Sequence, residues 1–294
     1  MTFPSASARS GYRGRIAPTP TGYLHMGHAA TFLNAERRAH EMGGTLILRI
    51  EDLDPQRCKA EFTSAVLEDL SWLGLRWDEG PDAGGAFGPY LQSERHAWFR
   101  EVWARLLAEG FIYPCQRSRK DVAQATAAPQ EGADTDEEAI FPAKWRPPPG
   151  TGREATTPVG VNWRFRVPDG ERIRFVDTRV GEQIFTAGVD FGDFLVWRRD
   201  DVPAYELAVV ADDHAMQISE VVRGEDLLKS TARQLLLYRA LGWVAPLWWH
   251  SPLVRDSSGR RLAKRDAALS LRTLRAQGVS ADALRARSRS LCLA

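Results

Sequence analysis

Two histidines three residues apart, His25 and His28, close the run Arg15-Ile-Ala-Pro-Thr-Pro-Thr-Gly-Tyr-Leu-His-Met-Gly-His28. At that spacing both side chains project from one side of a first helical turn. A helix N-terminus offers unpaired N–H groups and a positive dipole end, which suit phosphate. Imidazole N–H donors placed there can stabilise charge on a transferring phosphoryl group. Gly27 leaves room for a base or sugar to approach the backbone. A second group, Arg49-Ile-Glu-Asp-Leu-Asp54, gathers three acids that repel one another unless cations, capping N–H groups or a substrate amine meet them. A carboxylate facing an ammonium group reads an amino acid, while Asp54 before Pro55 is equally a capping turn. A third group is Tyr205-Glu-Leu-Ala-Val-Val-Ala-Asp-Asp-His214 with Val222-Arg-Gly-Glu-Asp226. Arg223 can fork onto a carboxylate through two parallel hydrogen bonds. Asp212, Asp213 and His214 admit a metal reading, but adjacent residues converge poorly on one ion. Last comes Ser258-Gly-Arg-Arg-Leu-Ala-Lys-Arg-Asp266, a cationic run suited to a triphosphate, although a basic turn is commonly only solvated charge.

These residues need elements to hold them. Arg15–Ile16–Ala17 reads as a short strand ending at Pro18, and Thr19–Pro20–Thr21–Gly22 as a turn. A helix is expected from about His25 to Met42, stopping at Gly43–Gly44. The apolar run Thr45–Ile50 reads as a strand covered on both faces. Helical periodicity returns at about Ala60–Leu73 and Glu94–Leu107. Short β-like pieces follow at Val161–Val167 and Arg172–Asp177. Alternation resumes with Ala204–Val210, read as a strand with the Tyr–Asp–Asp–His run at its end, then Glu220–Val222 and the helical Ser230–Leu241. The expected fold is α/β, a Rossmann-type doubly wound parallel sheet with an α+β insertion and a short helical C-terminal tail. The divisions are 1–110 for the first half, 111–186 for the insertion, 187–245 for the second half and 246–294 for the basic loop and tail.

Composition bounds these readings. The 294 residues include 39 Lys+Arg and 38 Asp+Glu, a net charge of +1, with 44% hydrophobic and 26% charged residues, which fits a folded chain and not a disordered one. No apolar run reaches the roughly 18 residues of a membrane helix, and the first residues carry no apolar signal core. Cys58, Cys115 and Cys292 are too few and too scattered for a disulfide framework, so a cytoplasmic location is expected. The average hides a +7 stretch from Arg260 to Ala294 and an acidic stretch over 121–138, read as a mobile loop within 121–140. Arg117, Arg119, Lys120 and the arginine-rich tail are candidate phosphate contacts.

The motifs together resemble class I aminoacyl-tRNA synthetases of the glutamyl type, over about residues 13–266. The first run resembles the HIGH motif in its RFAPSPTGxLHxG form, with Thr19 in place of Ser. Arg49–Asp54 resembles RIEDTD, and Ser258–Asp266 resembles the KMSKS loop in its KLSKR form, with Arg261 for the first Lys and Ala263 for Ser. The resemblance implies catalytic roles for His25, His28 and Lys264. It implies glutamate binding by Arg15, Thr19, Glu51, Tyr205 and Arg223, with Glu51 on the α-amino group and Arg15 and Arg223 on the side-chain carboxylate. ATP would meet His25, Gly27, His28, Arg261, Leu262 and Lys264, with Mg²⁺ on the phosphates. Val209 departs from the polar residue usual in that pocket. In relatives a small zinc element lies near Tyr113–Arg117 and Phe141–Arg146. Here Arg117, Phe141 and Trp145 take three ligand positions and only Cys115 remains, so no zinc is expected.

With 29 residues after Arg265, the chain resembles the short paralogue family, the glutamyl-Q tRNA(Asp) synthetases. That resemblance implies activation of glutamate without tRNA and transfer to the queuosine at the wobble position of tRNA(Asp), by a monomer with no membrane partner. Two alternatives stay open: a truncated glutamyl-tRNA synthetase charging a tRNA 3′ end, and a catalytically inactive RNA-binding relic.

Overall fold

The computed structural model describes residues 11–118, 121–123, 139–254 and 270–293. Strand β1 (Arg13–Ile16) and strand β2 (Thr45–Leu48) pair in parallel, Arg13 opposite Thr45. Between them runs α1 (Met26–Glu41), whose buried Met26, Ala29, Phe32, Ala35 and Ala39 recur at helical spacing and face the sheet. Two glycines end α1 for different reasons. Gly43 turns the chain at a φ of 57°, and a Cβ on Gly44 would lie 2.4 Å from the Tyr12 carbonyl oxygen. Helix α2 (Ala60–Trp72) and helix α3 (His96–Ala108) follow, with a tight 3-10 turn over Gln92–Glu94.

The other parallel strands are β9 (Glu220–Gly224) and β10 (Leu247–Ser251), joined from Leu247–Glu220 to Ser251–Gly224. The Ser219 amide donates to the Arg13 carbonyl at 2.9 Å, which sets β9 beside β1. The first-half strands therefore meet the second-half strands at β1 and β9, the doubly wound arrangement expected, and helix α5 (Leu228–Leu241) covers the second half. Among the described residues, apolar side chains fill two large clusters and a small one around Tyr113, Cys115, Val122 and Phe141. Ile16, Leu48 and Ile50 lie in one large cluster, and Trp163, Trp197, Leu236 and Trp248 in the other.

The insertion is antiparallel. Strands β3 (Ile112–Cys115), β4 (Asn162–Phe165), β7 (Phe194–Arg198) and β8 (Val202–Pro203) form one sheet in that order. Strand β5 (Arg172–Asp177) and strand β6 (Gly181–Thr186) form a hairpin that joins the parallel sheet, Asp177 opposite Trp248 of β10. Hydrogen bonding thus ties the segment 111–186 to both later ones: β7 and β8 of 187–245 join β3 and β4, and β10 of 246–294 joins β5.

One element differs from expectation. Ala204–Val210 is no strand; Tyr205–Ala215 is a helix, α4, with Tyr205 as its first residue. Its run Leu207–Ala211 is buried, and a short wholly apolar run does not distinguish a buried helix from a buried strand. The polar Asp212 and Asp213 therefore lie at a helix end, where they are also buried. The tail is helical as expected, α6 (Leu271–Ala276) capped by the Ser270 hydroxyl and α7 (Ala281–Leu293). Most of the loop 121–140 and the whole of the basic loop lie outside the described residues, including Arg261, Leu262, Ala263 and Lys264. Arg119 and Lys120 lie outside them as well.

Candidate active site

His25 caps α1, and its Nδ1 accepts from the Gly27 amide at 3.1 Å. His28 Nδ1 accepts from the His25 amide at 3.3 Å. With Nδ1 acting as acceptor in both neutral rings, Nε2 carries the hydrogen in each. The rings stack 3.8 Å apart, so one helix end presents two neighbouring N–H donors. A Cβ on Gly27 would stand 3.0 Å from His25 Cε1 and displace that ring. The start of α6 also meets this corner, since His25 pairs with Ser270 and the Leu271 amide donates to the Leu24 carbonyl.

At the ends of β1 and β2 lies a buried network of three arginines and three carboxylates. Arg49, wholly buried, donates to Asp213 at 2.7 Å and to Glu51 at 3.1 Å, and lies 3.9 Å from Asp212. Arg15 donates through Nε to Asp213 at 3.3 Å and through Nη1 to the Val222 carbonyl. Arg95 donates to Asp212 at 2.6 Å, and Gln92 donates to its other oxygen. Buried charges persist only when paired and hydrogen-bonded. The network accounts for Asp212 and Asp213 without a metal, and no acid–His–Cys group suited to a metal occurs among the described residues.

Glu51 forms the inner edge of the site, its second oxygen 3.4 Å from the Thr19 hydroxyl. Burial pushes its carboxyl up, against the pull of Arg49 and Arg15. Burial also pushes at Asp213, but Arg15 and Arg49 outweigh it and hold that carboxyl below its ordinary range. Tyr205 turns its hydroxyl toward Arg223, whose Nη1 donates to it at 3.4 Å. Burial pushes this phenol up to about 12, Arg223 pulls it down, and Glu51 and Arg15 also act on it. The remaining hydrogen bonds of Arg223 run to the Thr231 hydroxyl at 2.6 Å, the Leu227 carbonyl and His250 Nε2. It is buried, and the partners it has among the described residues are uncharged. A carboxylate arriving beside Tyr205 would find a desolvated cation that feels Asp213 and Glu206 through space but makes no hydrogen bond to a carboxylate among the described residues.

The structure therefore links Arg15, Thr19, Glu51, Tyr205 and Arg223 through shared contacts and fields, while His25, Gly27 and His28 gather at the N-terminus of the helix that follows β1. Sequence reading missed Arg95, Gln92, Thr231, Asp177 and His250. Gln92 and Arg95 do stand in a polar run, Gln92-Ser-Glu-Arg-His96, but the roles of all five emerge only from contacts between segments distant in sequence. Val209 is buried within α4.

The residues at the zinc-element positions do not fit a metal. Phe141 packs edge-on against Trp145 at 5.7 Å, and the Arg117 guanidinium lies 4.9 Å over the Trp145 ring. The buried Cys115 thiol points to the Arg117 carbonyl, and Tyr113 donates to Asp193. One thiol among aromatic rings lacks the four N, S or O donors of a structural zinc site. No helix among the described residues is long and apolar enough to cross a membrane.

Comparison with known proteins gives a consistent picture. Residues 12–291 match the model for "tRNA synthetases class I (E and Q), catalytic domain". The chain is 47% identical over 274 residues to a glutamyl-Q tRNA(Asp) synthetase of Symbiobacterium thermophilum, covering 92% of this chain and 83% of that protein. It is 43% identical over 278 residues to the glutamyl-Q tRNA(Asp) synthetase of Nitratidesulfovibrio vulgaris, covering 92% and 82%. Glutamate–tRNA ligase 2 of Acidithiobacillus ferrooxidans is 42% identical over 275 residues, covering 93% of this chain and 56% of that protein. A crystal structure of a glutamate tRNA ligase from Elizabethkingia meningosepticum in complex with its amino acid superposes with a TM-score of 0.72 at 31% identity, over 87% of this chain and 52% of that one. The chain thus spans about half the length of the glutamate–tRNA ligases it matches.

Proposed function

The chain belongs to the class I tRNA synthetases of the glutamate and glutamine type, a family of ligases, and on that premise we propose that it activates L-glutamate with ATP and passes the glutamyl group to the queuosine at the wobble position of tRNA(Asp). The observation that carries the glutamate reading is Arg223. A buried guanidinium whose hydrogen-bond partners among the described residues are all uncharged, next to Tyr205, suits an amino acid with an acidic side chain. Glu51, held by Arg49 and Thr19, takes the α-ammonium group. Arg15 and Arg223 take the side-chain carboxylate.

In the first step an α-carboxylate oxygen attacks the α-phosphorus of ATP. The bond to the β-phosphate oxygen breaks, and pyrophosphate leaves with that electron pair. Little covalent work falls to the protein, which positions the groups and stabilises charge. The Nε2–H groups of His25 and His28 donate to the phosphate oxygens. Arg261, Leu262 and Lys264 follow β10 in sequence and complete the ATP site, with Lys264 neutralising the triphosphate. Mg²⁺ bound with ATP would supply further charge neutralisation, held by the phosphates rather than by a dedicated set of protein ligands. In the second step a hydroxyl oxygen of the RNA attacks the adenylate carbonyl, and AMP departs with its phosphate oxygen.

Identities of 47% and 43% to proteins named glutamyl-Q tRNA(Asp) synthetase support queuosine as the acceptor. The 42% identity to a glutamate–tRNA ligase favours, as the second reading, transfer to a tRNA 3′ end. Exchange of labelled pyrophosphate into ATP, dependent on glutamate and needing no tRNA, tests the first step. Labelled glutamate offered to tRNA(Asp) with and without queuosine tests the second. Label only on the queuosine form is expected. Label at the 3′ end of queuosine-free tRNA(Glu) would overturn the choice of acceptor, and no exchange at all would favour the relic. A cytoplasmic site of action is part of the same reading.

A further inference from the structure

Arg223 does not hold its own orientation; a buried relay from the insertion hairpin does. His250 on β10 is wholly buried, as is Thr231, and Asp177 at the end of β5 is nearly so. His250 Nδ1 lies 2.7 Å from Asp177 Oδ2, which also accepts from the His250 amide at 3.0 Å. The other oxygen of Asp177 accepts from the amides of Arg179 and Val180, so the turn between β5 and β6 fixes the carboxylate at both ends. On its far side, His250 Nε2 lies 3.3 Å from Arg223 Nε and 3.1 Å from the Thr231 hydroxyl.

The tautomer follows from these neighbours. A carboxylate at Nδ1 requires the hydrogen there, which leaves a lone pair at Nε2. The Nε–H of arginine can only donate, so Nε2 must accept from it. A protonated ring would press an N–H against a guanidinium N–H. Burial lowers the ring's proton affinity, with the positive charge of Arg223 acting in the same direction, and the ring is therefore neutral. Arg223 then has Nε tied to His250, Nη2 tied to Thr231, and Nη1 directed to Tyr205. The charge of Asp177 compensates the cation through a neutral ring and not by direct contact. The guanidinium keeps its affinity for an incoming carboxylate.

We propose that Asp177 and His250 are positioning residues for substrate recognition, holding Arg223 through the Nδ1–H tautomer of His250 so that its Nη1 side, beside Tyr205, meets the substrate's side-chain carboxylate. The proposal rests on the glutamate reading above. Replacing His250 by two amides separates positioning from packing. In His250→Gln the side-chain amide reaches the place of Nε2 and can accept from Arg223. In His250→Asn it reaches only the place of Nδ1, keeps the Asp177 contact, and leaves Arg223 Nε without its acceptor. A third variant, Asp177→Asn, sets its NH2 group either against Nδ1, driving the hydrogen to Nε2 to face Arg223, or against the Arg179 and Val180 amides, loosening the turn that holds the relay.

The assay is tRNA-independent ATP–pyrophosphate exchange, with KM for glutamate and for ATP read separately from kcat. Loss of one hydrogen bond at a charged group sets the scale at about tenfold or more. KM for glutamate should rise about that much in His250→Asn and Asp177→Asn. It should stay within about threefold in His250→Gln, with KM for ATP unchanged in all three. Equal damage by Gln and Asn, or a rise in both KM values together, would show a packing role and overturn the proposal. An unchanged glutamate KM in His250→Asn would overturn it too. If the unaltered protein gives no glutamate-dependent exchange, the glutamate reading fails first and the positioning role falls with it.

Discussion

Replacing Arg49 by Met tests whether the buried network is a balanced unit. Arg15, Arg49 and Arg95 face Glu51, Asp212 and Asp213, three positive against three negative charges. After Arg49→Met, Asp212 keeps Arg95 at 2.6 Å and Asp213 keeps Arg15 at 3.3 Å. Glu51 keeps the Thr19 hydroxyl at 3.4 Å and the through-space pull of Arg15, and becomes a buried carboxylate with no cation in hydrogen-bonding contact. Breaking one partner of a buried pair costs about 3–5 kcal/mol, a large share of the roughly 5–15 kcal/mol that holds a domain folded. The sign with pH follows from Glu51. Its folded proton affinity is already raised by burial, and losing Arg49 raises it further. A raised carboxyl contributes stability that is present at low pH and lost as pH rises through its folded value. The deficit should therefore be larger at pH 8 than at pH 5. The double variant Arg49→Met/Glu51→Gln restores charge balance and should regain most of the loss. Denaturant unfolding at both pH values, with an unchanged slope against denaturant, gives the comparison. A cost below about 1 kcal/mol, or a double variant no more stable than the single, would refute the balanced-network account.

Arg223→Lys removes the planar fork and should raise KM for glutamate about 10- to 100-fold while KM for ATP holds, the scale of a charged hydrogen bond; an unchanged glutamate KM would remove Arg223 from the pocket. Lys264→Ala should slow adenylate formation and leave the unfolding midpoint where it was, and an unchanged exchange rate would refute its role. His250 is lowered from 6.5 in the fold by burial, so its neutral form stabilises the protein above that pH. The unfolded chain takes up the proton first, and this contribution is lost as pH falls from about 6.5 through the folded value. The difference in midpoint between the unaltered protein and His250→Gln, measured from pH 8 to 5, should shrink accordingly, and a flat difference would show that His250 does not titrate in this way. Metal analysis of purified protein should find no stoichiometric zinc, and one equivalent would contradict the packing of Phe141 and Trp145 in place of ligands.

Local signals marked much of this site. The His25–Gly27–His28 corner was legible because turn residues, helix period and a pair of glycines all agree on one strand–turn–helix unit. Glu51 was legible because three acids after a strand demand partners. Helix α4 was not, because Leu207–Ala211 has no polar face to reveal its period. Its burial against other elements is what makes it helical. The pairing of Asp212 with Arg95, 117 positions apart, leaves no trace in either residue's neighbourhood. His250 likewise sits in an aromatic strand segment, Leu247–Ser251, whose composition speaks only of packing.

The single parallel pairing of Asp177 with Trp248 has a consequence for modularity. Through it the inserted hairpin contributes to the same hydrogen-bonded layer as the strand that carries His250. A designer treating residues 111–186 as an exchangeable cassette would remove a support of the pocket along with it. Chimeras that keep Asp177 and its turn should tolerate a new insertion far better than those that cut at the insertion's outer ends. The boundary that matters for recombination lies inside the hairpin, at the carboxylate that the parallel sheet already shares.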